Sequence, residues 1–322
     1  MAIQFLRTFG LPCMLVLLTG CEKWADGVVR EVYFPPHQSE LAATVLLTQG
    51  DMKAVAALYQ SSSAFEKEAS TIPSGVTARV EHNGNVLLEW LPGDTALLET
   101  GWDDRYFHTI VLDAPLDLPE GEMQLIVEAP DRESLTATAT QPPIPVVEAT
   151  MEIGVDTVDG WDYYESYQII DRIRFDLQNR ASIRDIHAVQ FQEGYVEDFG
   201  DTSWYDIYLQ YDDAGLDPRM VFNQTCNCYL IDDRGLDGES LSGFKLDRYR
   251  YYSPDWPTEV EDMPLRMVVN LLDQPLADFY RSVETHSNAS DNPFASPSTV
   301  YSNTSSGYGC FGLASKVVMR LD

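Results

Sequence analysis

Cys226-Asn227-Cys228 is the most reactive pattern in this 322-residue chain. Thiols two residues apart can hold a soft metal or close a local disulfide, but this is not the C-x-x-C of zinc and thioredoxin sites. No histidine lies near them in sequence, His187 being the closest. A structural role or a disulfide is therefore expected for Cys226 and Cys228. Two acidic turns come next: Asp212, Asp213 and Asp217, and Asp232, Asp233, Asp237 and Glu239. Carboxylates so grouped can ligate Ca²⁺, yet neither run has the EF-hand pattern, and a solvated acidic turn is the favoured reading. The five histidines, His37, His82, His108, His187 and His286, are scattered, with no pair at helical zinc spacing.

Gly307-x-Gly309-x-x-Gly312 matches the dinucleotide fingerprint in letters only. No βαβ unit surrounds it, and a strand rather than a helix follows. Its glycines suit a tight turn and close strand packing. The stretch from Gly238 to Gly243 narrowly misses a G-x-S-x-G nucleophile elbow and lacks its α/β context. Paired carboxylates can serve a glycosidase, but 51 acidic residues guarantee chance pairs. These patterns supply no catalytic residue, no metal site and no cofactor.

Aromatic residues give the best binding signal. Trp161, Tyr163, Tyr164 and Tyr167 form one group, Trp204, Tyr205 and Tyr208 a second, and Tyr249, Tyr251, Tyr252 and Trp256 a third. Aromatics beside carboxylates suit sugars, peptides or a protein interface, because they offer flat area with polar tips. Half of them are expected to face a core. Tyr249, Tyr251, Tyr252 and Trp256 are the ones expected at a surface contact, since Pro254 and Pro257 mark a loop there.

The elements that must position these residues are almost all strands. Leu41–Thr48 is apolar and β-prone; Met52–Tyr59 returns, with a short helix as an alternative. Val76, Ala78 and Val80, then Asn83-Gly84, then Val86, Leu88 and Trp90, predict a hairpin with a positive-φ turn. Further strands are expected at 106–112, 123–129, 136–140, 172–178, 187–192, 205–211, 244–250, 266–272 and 311–320. Leu276, Phe279, Tyr280 and Val283 recur at helical spacing and predict one short helix over 275–284. Gln141-Pro142-Pro143-Ile144-Pro145 predicts a stiff linker. The fold class expected is mainly β: an immunoglobulin-like β-sandwich over 37–140, a linker over 141–148, then a larger β-sandwich or partial barrel over 149–322.

The chain carries 21 basic and 51 acidic residues, a formal net charge of −30. That charge repels phosphate backbones and excludes nucleic acid as a partner. It also repels an anionic membrane surface. With 44% hydrophobic and 11% aromatic residues the chain has ample material for a core. At the N-terminus, Arg7 precedes an apolar run from Leu11 to Leu18, the layout of a secretory signal over residues 1–20 and too short to span a bilayer. Leu18-Thr19-Gly20-Cys21 resembles the lipobox of bacterial lipoproteins, which implies lipidation of Cys21 and a tether over 21–36. Glu22 follows it rather than the Asp associated with inner-membrane retention, so the outer membrane is the expected location. With Cys21 acylated, Cys226, Cys228 and Cys310 remain, and one disulfide at most forms within the chain.

Asn292-Pro293-Phe294-Ala295-Ser296-Pro297, Ser302-Asn303 and Gly307-Tyr308-Gly309-Cys310-Phe311-Gly312 resemble the C-terminal signature of a Bacteroidota outer-membrane lipoprotein family, the domain of unknown function forty-two forty-nine. Asp278 to Ser282 sits where that family's aromatic helix precedes the signature. Ile231-Asp232-Asp233 with Gly238 is similar to its acidic turn, with Asp237 in place of Asn. Val127-Glu128-Ala129-Pro130 and Thr136-Ala137-Thr138 are similar to its N-terminal half. Cys310 stands where an aliphatic residue is usual, which implies a buried apolar position. The resemblance implies an accessory or ligand-capturing subunit beside a TonB-dependent receptor, and it supplies no catalytic residues. The expectation is thus a non-enzymatic, lipid-anchored subunit of a TonB-dependent transporter complex. A structural or adhesive envelope protein and an exported hydrolase are the alternatives.

Overall fold

The computed structural model describes residues 39–61, 71–98, 105–159, 167–196, 202–209, 216–234, 238–252, 263–290 and 298–321. Signal segment, tether, Cys21, Trp161, Tyr163 and Tyr164 of the first aromatic group and residues 292–297 of the C-terminal signature lie outside them, while Tyr167 opens a strand.

Strand β1 (Leu41–Gln49) and β2 (Lys53–Gln60) pair as a hairpin with every second residue buried: Leu41, Ala43, Val45 and Leu47, then Ala54, Ala56 and Leu58. Period-two burial belongs to strands, so the alanine-rich second segment is strand and not helix. Asn83 and Gly84, at φ of 51° and 76°, turn β3 (Thr77–His82) into β4 (Asn85–Trp90). Short β5 (Thr95–Leu98) and β6 (Arg105–Val111) extend the β1–β2 pair. β7 (Gly121–Glu128) and β8 (Leu135–Gln141) complete a four-stranded sheet in the order β4-β3-β7-β8. Trp90 is fully buried in the apolar core that both sheets line, and its indole N–H donates to the Ala54 carbonyl at 3.3 Å.

Beyond the prolines, β9 (Val147–Asp159), β10 (Tyr167–Leu177) and β15 (Leu241–Tyr252) form a three-stranded sheet, β15-β10-β9. The remaining strands are β11 (Ile186–Val196), β12 (Thr202–Ile207), β13 (Met220–Asn223), β14 (Cys228–Asp232), β16 (Leu265–Leu272) and β17 (Tyr308–Arg320). They join the sheet of β1, whose order is β13-β14-β11-β16-β17-β1-β2-β6-β5, with β12 paired to β11. Its end strands β13 and β5 do not pair with each other, so the sheet is open and no barrel closes. The single helix among the described residues, α1 (Gln274–Ser290), lies between β16 and β17 in sequence. The architecture is mainly β and sandwich-like, as the alternation of the sequence predicts.

The structure differs from the expected division into two domains joined by a linker. Residues 39–322 form one compact unit, and the last strand, β17, pairs in parallel with the first, β1. Two cores do persist on either side of the prolines. Phe311 and Leu313 at the start of β17 belong to the first, while Val317 and Met319 further along the same face pack against the second. Between them the fully buried Ser315 hydroxyl bonds Gln141 (2.5 Å), the Pro142 carbonyl (2.6 Å) and Gln49 (3.1 Å). The proline segment is therefore fastened to β17 rather than bridging free space.

The glycines of the C-terminal signature make this junction fit. Gly307 and Gly309 have φ of 64° and 131°, and a Cβ there would lie 2.1 Å from the Leu41 carbonyl oxygen and 1.8 Å from that of Ala43. A Cβ on Gly312 would meet Leu276 of α1 at 2.7 Å. Asn303 adds two bonds to the backbone of Phe311, at 2.8 and 2.9 Å, and one to the Thr138 carbonyl at 3.0 Å. The fingerprint-like glycines thus serve close strand and helix packing, the role their β context favours.

Candidate functional site

One face of the long sheet lines both cores. On the other, α1 packs against Ile186, Ala188, Leu230, Leu272 and Ala314 through Leu276 and Ala277. Asp273 caps the helix: its Oδ1 accepts the Leu276 N–H at 3.0 Å and its carbonyl the Ala277 N–H at 3.1 Å. Beside the helix the same face opens into a groove of about 360 Å³. Alternation along each strand decides which side chains reach it. Val189 and Phe191 of β11 and Met267 and Val269 of β16 point into the second core; Gln190, Gln192, Arg266 and Asn270 therefore line the groove. Thr48 from β1, Lys316 from β17, Asp51 from the β1–β2 turn and Tyr280 from α1 add further polar groups, over apolar side chains such as Val268, Leu276 and Val318.

A web of hydrogen bonds holds the rim. Gln192 Oε1 accepts from Arg266 Nε at 2.7 Å, and Gln192 Nε2 donates to Asp206 at 2.7 Å. The Arg266 guanidinium stacks over Trp204, 4.0 Å from the ring centroid. Lys316 is ion-paired with Asp51. Burial lowers the Arg266 pKa most, Asp206 raises it, and the neighbouring Arg320 lowers it further.

Cys226 and Cys228 form a disulfide at the tip of the β13–β14 hairpin, beside the groove. The tip is anchored on several sides. Gln190 Nε2 donates to the Cys226 and Asn227 carbonyls at 2.8 and 3.3 Å. Tyr208 donates its hydroxyl proton to Asn227 at 2.6 Å, and Asn227 donates to Asp206 at 2.9 Å. Asn223 and the Gln224 N–H bond the Tyr280 carbonyl and the Glu284 carboxylate of α1 at 3.1 and 3.0 Å.

In the acidic turn, Asp232 and Asp233 are already engaged within the protein. Asp232 is surrounded by Arg184, Arg281 (2.8 Å) and Arg234 (3.2 Å). Burial pushes its pKa up, but the Arg184 bond and the arginine charges hold it below the ordinary range. Asp233 is buried and accepts the Asp185 N–H at 2.9 Å; Glu239 is exposed, and Asp237 lies outside the described residues. Three arginines therefore surround Asp232 itself, which disfavours a divalent ion at that carboxylate. Among the described residues no group of His, Cys, Asp and Glu gathers as a metal site. Of the other acidic turn, Asp212 and Asp213 lie outside the described residues, and Asp217 is paired with Arg219 at 2.7 Å.

Of the third aromatic group, Tyr249 is half-buried on β15, Tyr251 and Tyr252 are described in backbone only, and Trp256 lies outside the described residues. The groove instead borders the second group. Trp204 stacks on Arg266, and Tyr205 and Tyr208 are exposed. Sequence reasoning missed Arg266 and Asn270. The available signal was their four-residue spacing in the otherwise apolar Leu265–Leu272, which puts both on one face. Cys310 is fully buried beneath α1, with its Sγ 3.6 Å from the Pro275 carbonyl and burial raising its thiol pKa, in keeping with an apolar position.

Buried carboxylates elsewhere are already engaged. Asp171 bonds Arg250 and the Gly154 N–H, each at 2.9 Å. Asp247 makes two 2.9 Å bonds to Arg172, and Asp185 accepts from Arg180 at 2.9 and 2.5 Å. Ser240 and Ser242 of the elbow-like stretch are exposed, with no histidine partner among the described residues. Compared with known proteins, the chain matches no protein-family model and no curated protein.

Proposed function

We propose that the protein is a non-enzymatic, ligand-capturing lipoprotein of the outer membrane, tethered through Cys21 and acting beside a TonB-dependent transporter. The groove on the open face of the long sheet is its ligand site. The supporting observation is the groove's composition: Gln190, Gln192, Arg266, Asn270 and Thr48 project from strands whose opposite faces are core. Among the described residues Thr48 and Asn270 have no side-chain hydrogen bond, leaving their donors and acceptors for a ligand. Convergent polar groups in a concave site suit recognition. Among the described residues the groove presents amides, the Lys316–Asp51 pair and the Arg266 guanidinium over an apolar floor, with no serine, thiolate or histidine beside a base, which favours binding over acyl transfer or hydrolysis.

Two measurements test this. Palmitate labelling of cells expressing the full chain should mark the protein, and Cys21→Ser should abolish the label and release the protein from membranes. Extraction in mild detergent should recover a large outer-membrane barrel protein with it. Recovery of the protein always alone, under several detergents, would count decisively against the transporter role.

A further inference from the structure

Most half-buried arginines in this acidic chain have their side chains engaged. Arg79, Arg172, Arg180, Arg184, Arg219 and Arg281 bond carboxylates. Arg132 directs both terminal nitrogens to the Ser39 carbonyl and Gln60. Arg266 is the exception. Only its Nε is bonded, to Gln192, and among the described residues neither terminal nitrogen has a partner. Its plane is fixed by the stack on Trp204 and the Gln192 bond. Arg320 stands opposite it on β17, with no carboxylate pair among the described residues. Asp206, the acid whose charge acts on Arg266, accepts from Gln192 and Asn227 and forms no ion pair with it. Two adjacent cations that no acid pairs with are unexpected in a chain of net charge −30.

We propose that Arg266, supported by Arg320, is the recognition point for an oxyanion, a carboxylate or phosphate, on a ligand lying in the groove. A guanidinium held flat with both terminal N–H groups unengaged presents a fork that matches two oxyanion oxygens. Preorganisation by Trp204 and Gln192 removes most of the ordering cost of that bond. Asn270 lies four residues along the same strand, roughly 13 Å away at strand rise. The ligand therefore carries its anionic end at Arg266 and a hydrogen-bonding polar portion towards Asn270 and Thr48. This inference rests on the groove being the ligand site.

Titration calorimetry of the detergent-solubilised full chain tests it with succinate, inorganic phosphate and neutral succinamide. Succinate or phosphate should bind, more weakly as salt rises, and the preferred one identifies the oxyanion. Succinamide should bind at least tenfold more weakly. Arg266→Gln should weaken the anion at least tenfold, Arg320→Gln a few-fold, and Arg234→Gln, outside the groove, not at all. If R266Q fails to fold, R266K decides, since it keeps the charge but loses the fork and should weaken binding at least fivefold. Equal affinity for succinamide would overturn the oxyanion assignment and leave the groove a binding site. Anion binding untouched by R266Q and R266K, or no binding of any probe, overturns it as well. The envelope role stands or falls separately, on Cys21 labelling and co-purification.

Discussion

Around Trp90 the first core is built of apolar side chains, with His108 buried on that side of the molecule. The second core takes in or borders Asp171, Asp185, His187, Asp233, Asp247 and Arg248, all buried. Apolar burial stabilises at little risk, roughly 25 cal/mol per Å². Buried charges cost desolvation that their partners only partly offset, and they are intolerant of losing one member. Gln190, Gln192, Arg266 and Asn270 of the groove come from β11 and β16, whose opposite faces line the second core. The first sandwich thus has the make-up of a scaffold, whereas the second accepts electrostatic cost on the side where ligand recognition is proposed.

The largest effect should come where the two halves are joined. Gly309→Ala puts a methyl against the Ala43 carbonyl and should break the β1–β17 pairing, costing more than about 4 kcal/mol and leaving little folded protein by circular dichroism. Gly84→Ala is the contrast. Its Cβ meets nothing within 4 Å, so only the left-handed φ is strained, at about 1–2 kcal/mol. Equal effects at both positions would mean that the strand junction is not what holds the halves together.

Inside the cores, Trp90→Ala and Asp171→Asn should each cost about 3–5 kcal/mol in denaturant midpoint analysis, for different reasons. The first leaves a cavity. The second leaves Arg250 and Arg248 without their shared acid. Only the second should be rescued by replacing the partner too: Asp171→Leu with Arg250→Leu should recover most of the loss. A double-mutant cycle showing no coupling would erase the distinction between apolar and charged cores.

Two buried groups should give opposite pH slopes. His187 is fully buried with both ring nitrogens unpartnered, and burial lowers its pKa to about 4. The fold keeps it neutral, so its contribution is complete above the unfolded value near 6.5 and is lost as pH falls towards 4. Burial raises Asp273 to about 7, against the N–H groups it accepts from. Its contribution is complete below the ordinary value near 3.8 and is lost as pH rises towards 7. Between pH 4 and 6.5 the slopes oppose, each on the order of 1 kcal/mol per pH unit. His187→Leu should leave stability falling with rising pH, and Asp273→Asn, which preserves the cap, should leave it falling with falling pH. Parallel stability profiles for both variants and the parent would refute the pairing.

The alternating strands and both chain-reversal residues at Asn83-Gly84 were legible because alternation and φ preference are local; the short β5, β13 and β14 were not expected, and β12 runs over Thr202–Ile207 rather than 205–211. The helix was legible over 275–284, but its last turns, through Ser290, present exposed polar residues that carry no period. Strand β9 begins at Val147, inside the expected linker, because three prolines and the exposed Ile144 and Val146 disguise its start. The junction was hidden for another reason: nothing in either sequence pattern says that β17 pairs with β1. The groove was hidden likewise. Gln190, Asn270, Lys316 and Thr48 each look like the solvated half of a strand, and only topology shows that they share a face.

The smallest expected effect concerns the disulfide, and it separates rim from core most directly. Cys226 and Cys228 close a loop so short that chain entropy gives their bond only about 1–2 kcal/mol. The hairpin tip keeps its other anchors on reduction, since Gln190 holds it through backbone carbonyls and Asn223 and Gln224 hold it to α1. Cys226→Ser with Cys228→Ser should therefore lower the unfolding midpoint by a few degrees only. Yet the pair borders the groove, and Asn227 between them helps hold Asp206, which positions Gln192 and through it Arg266. Loosening this turn should weaken succinate or phosphate binding several-fold while the second core stays intact. If stability collapses instead, the hairpin belongs to the core's support and not to the site. If neither stability nor binding moves, the rim is not coupled to Arg266.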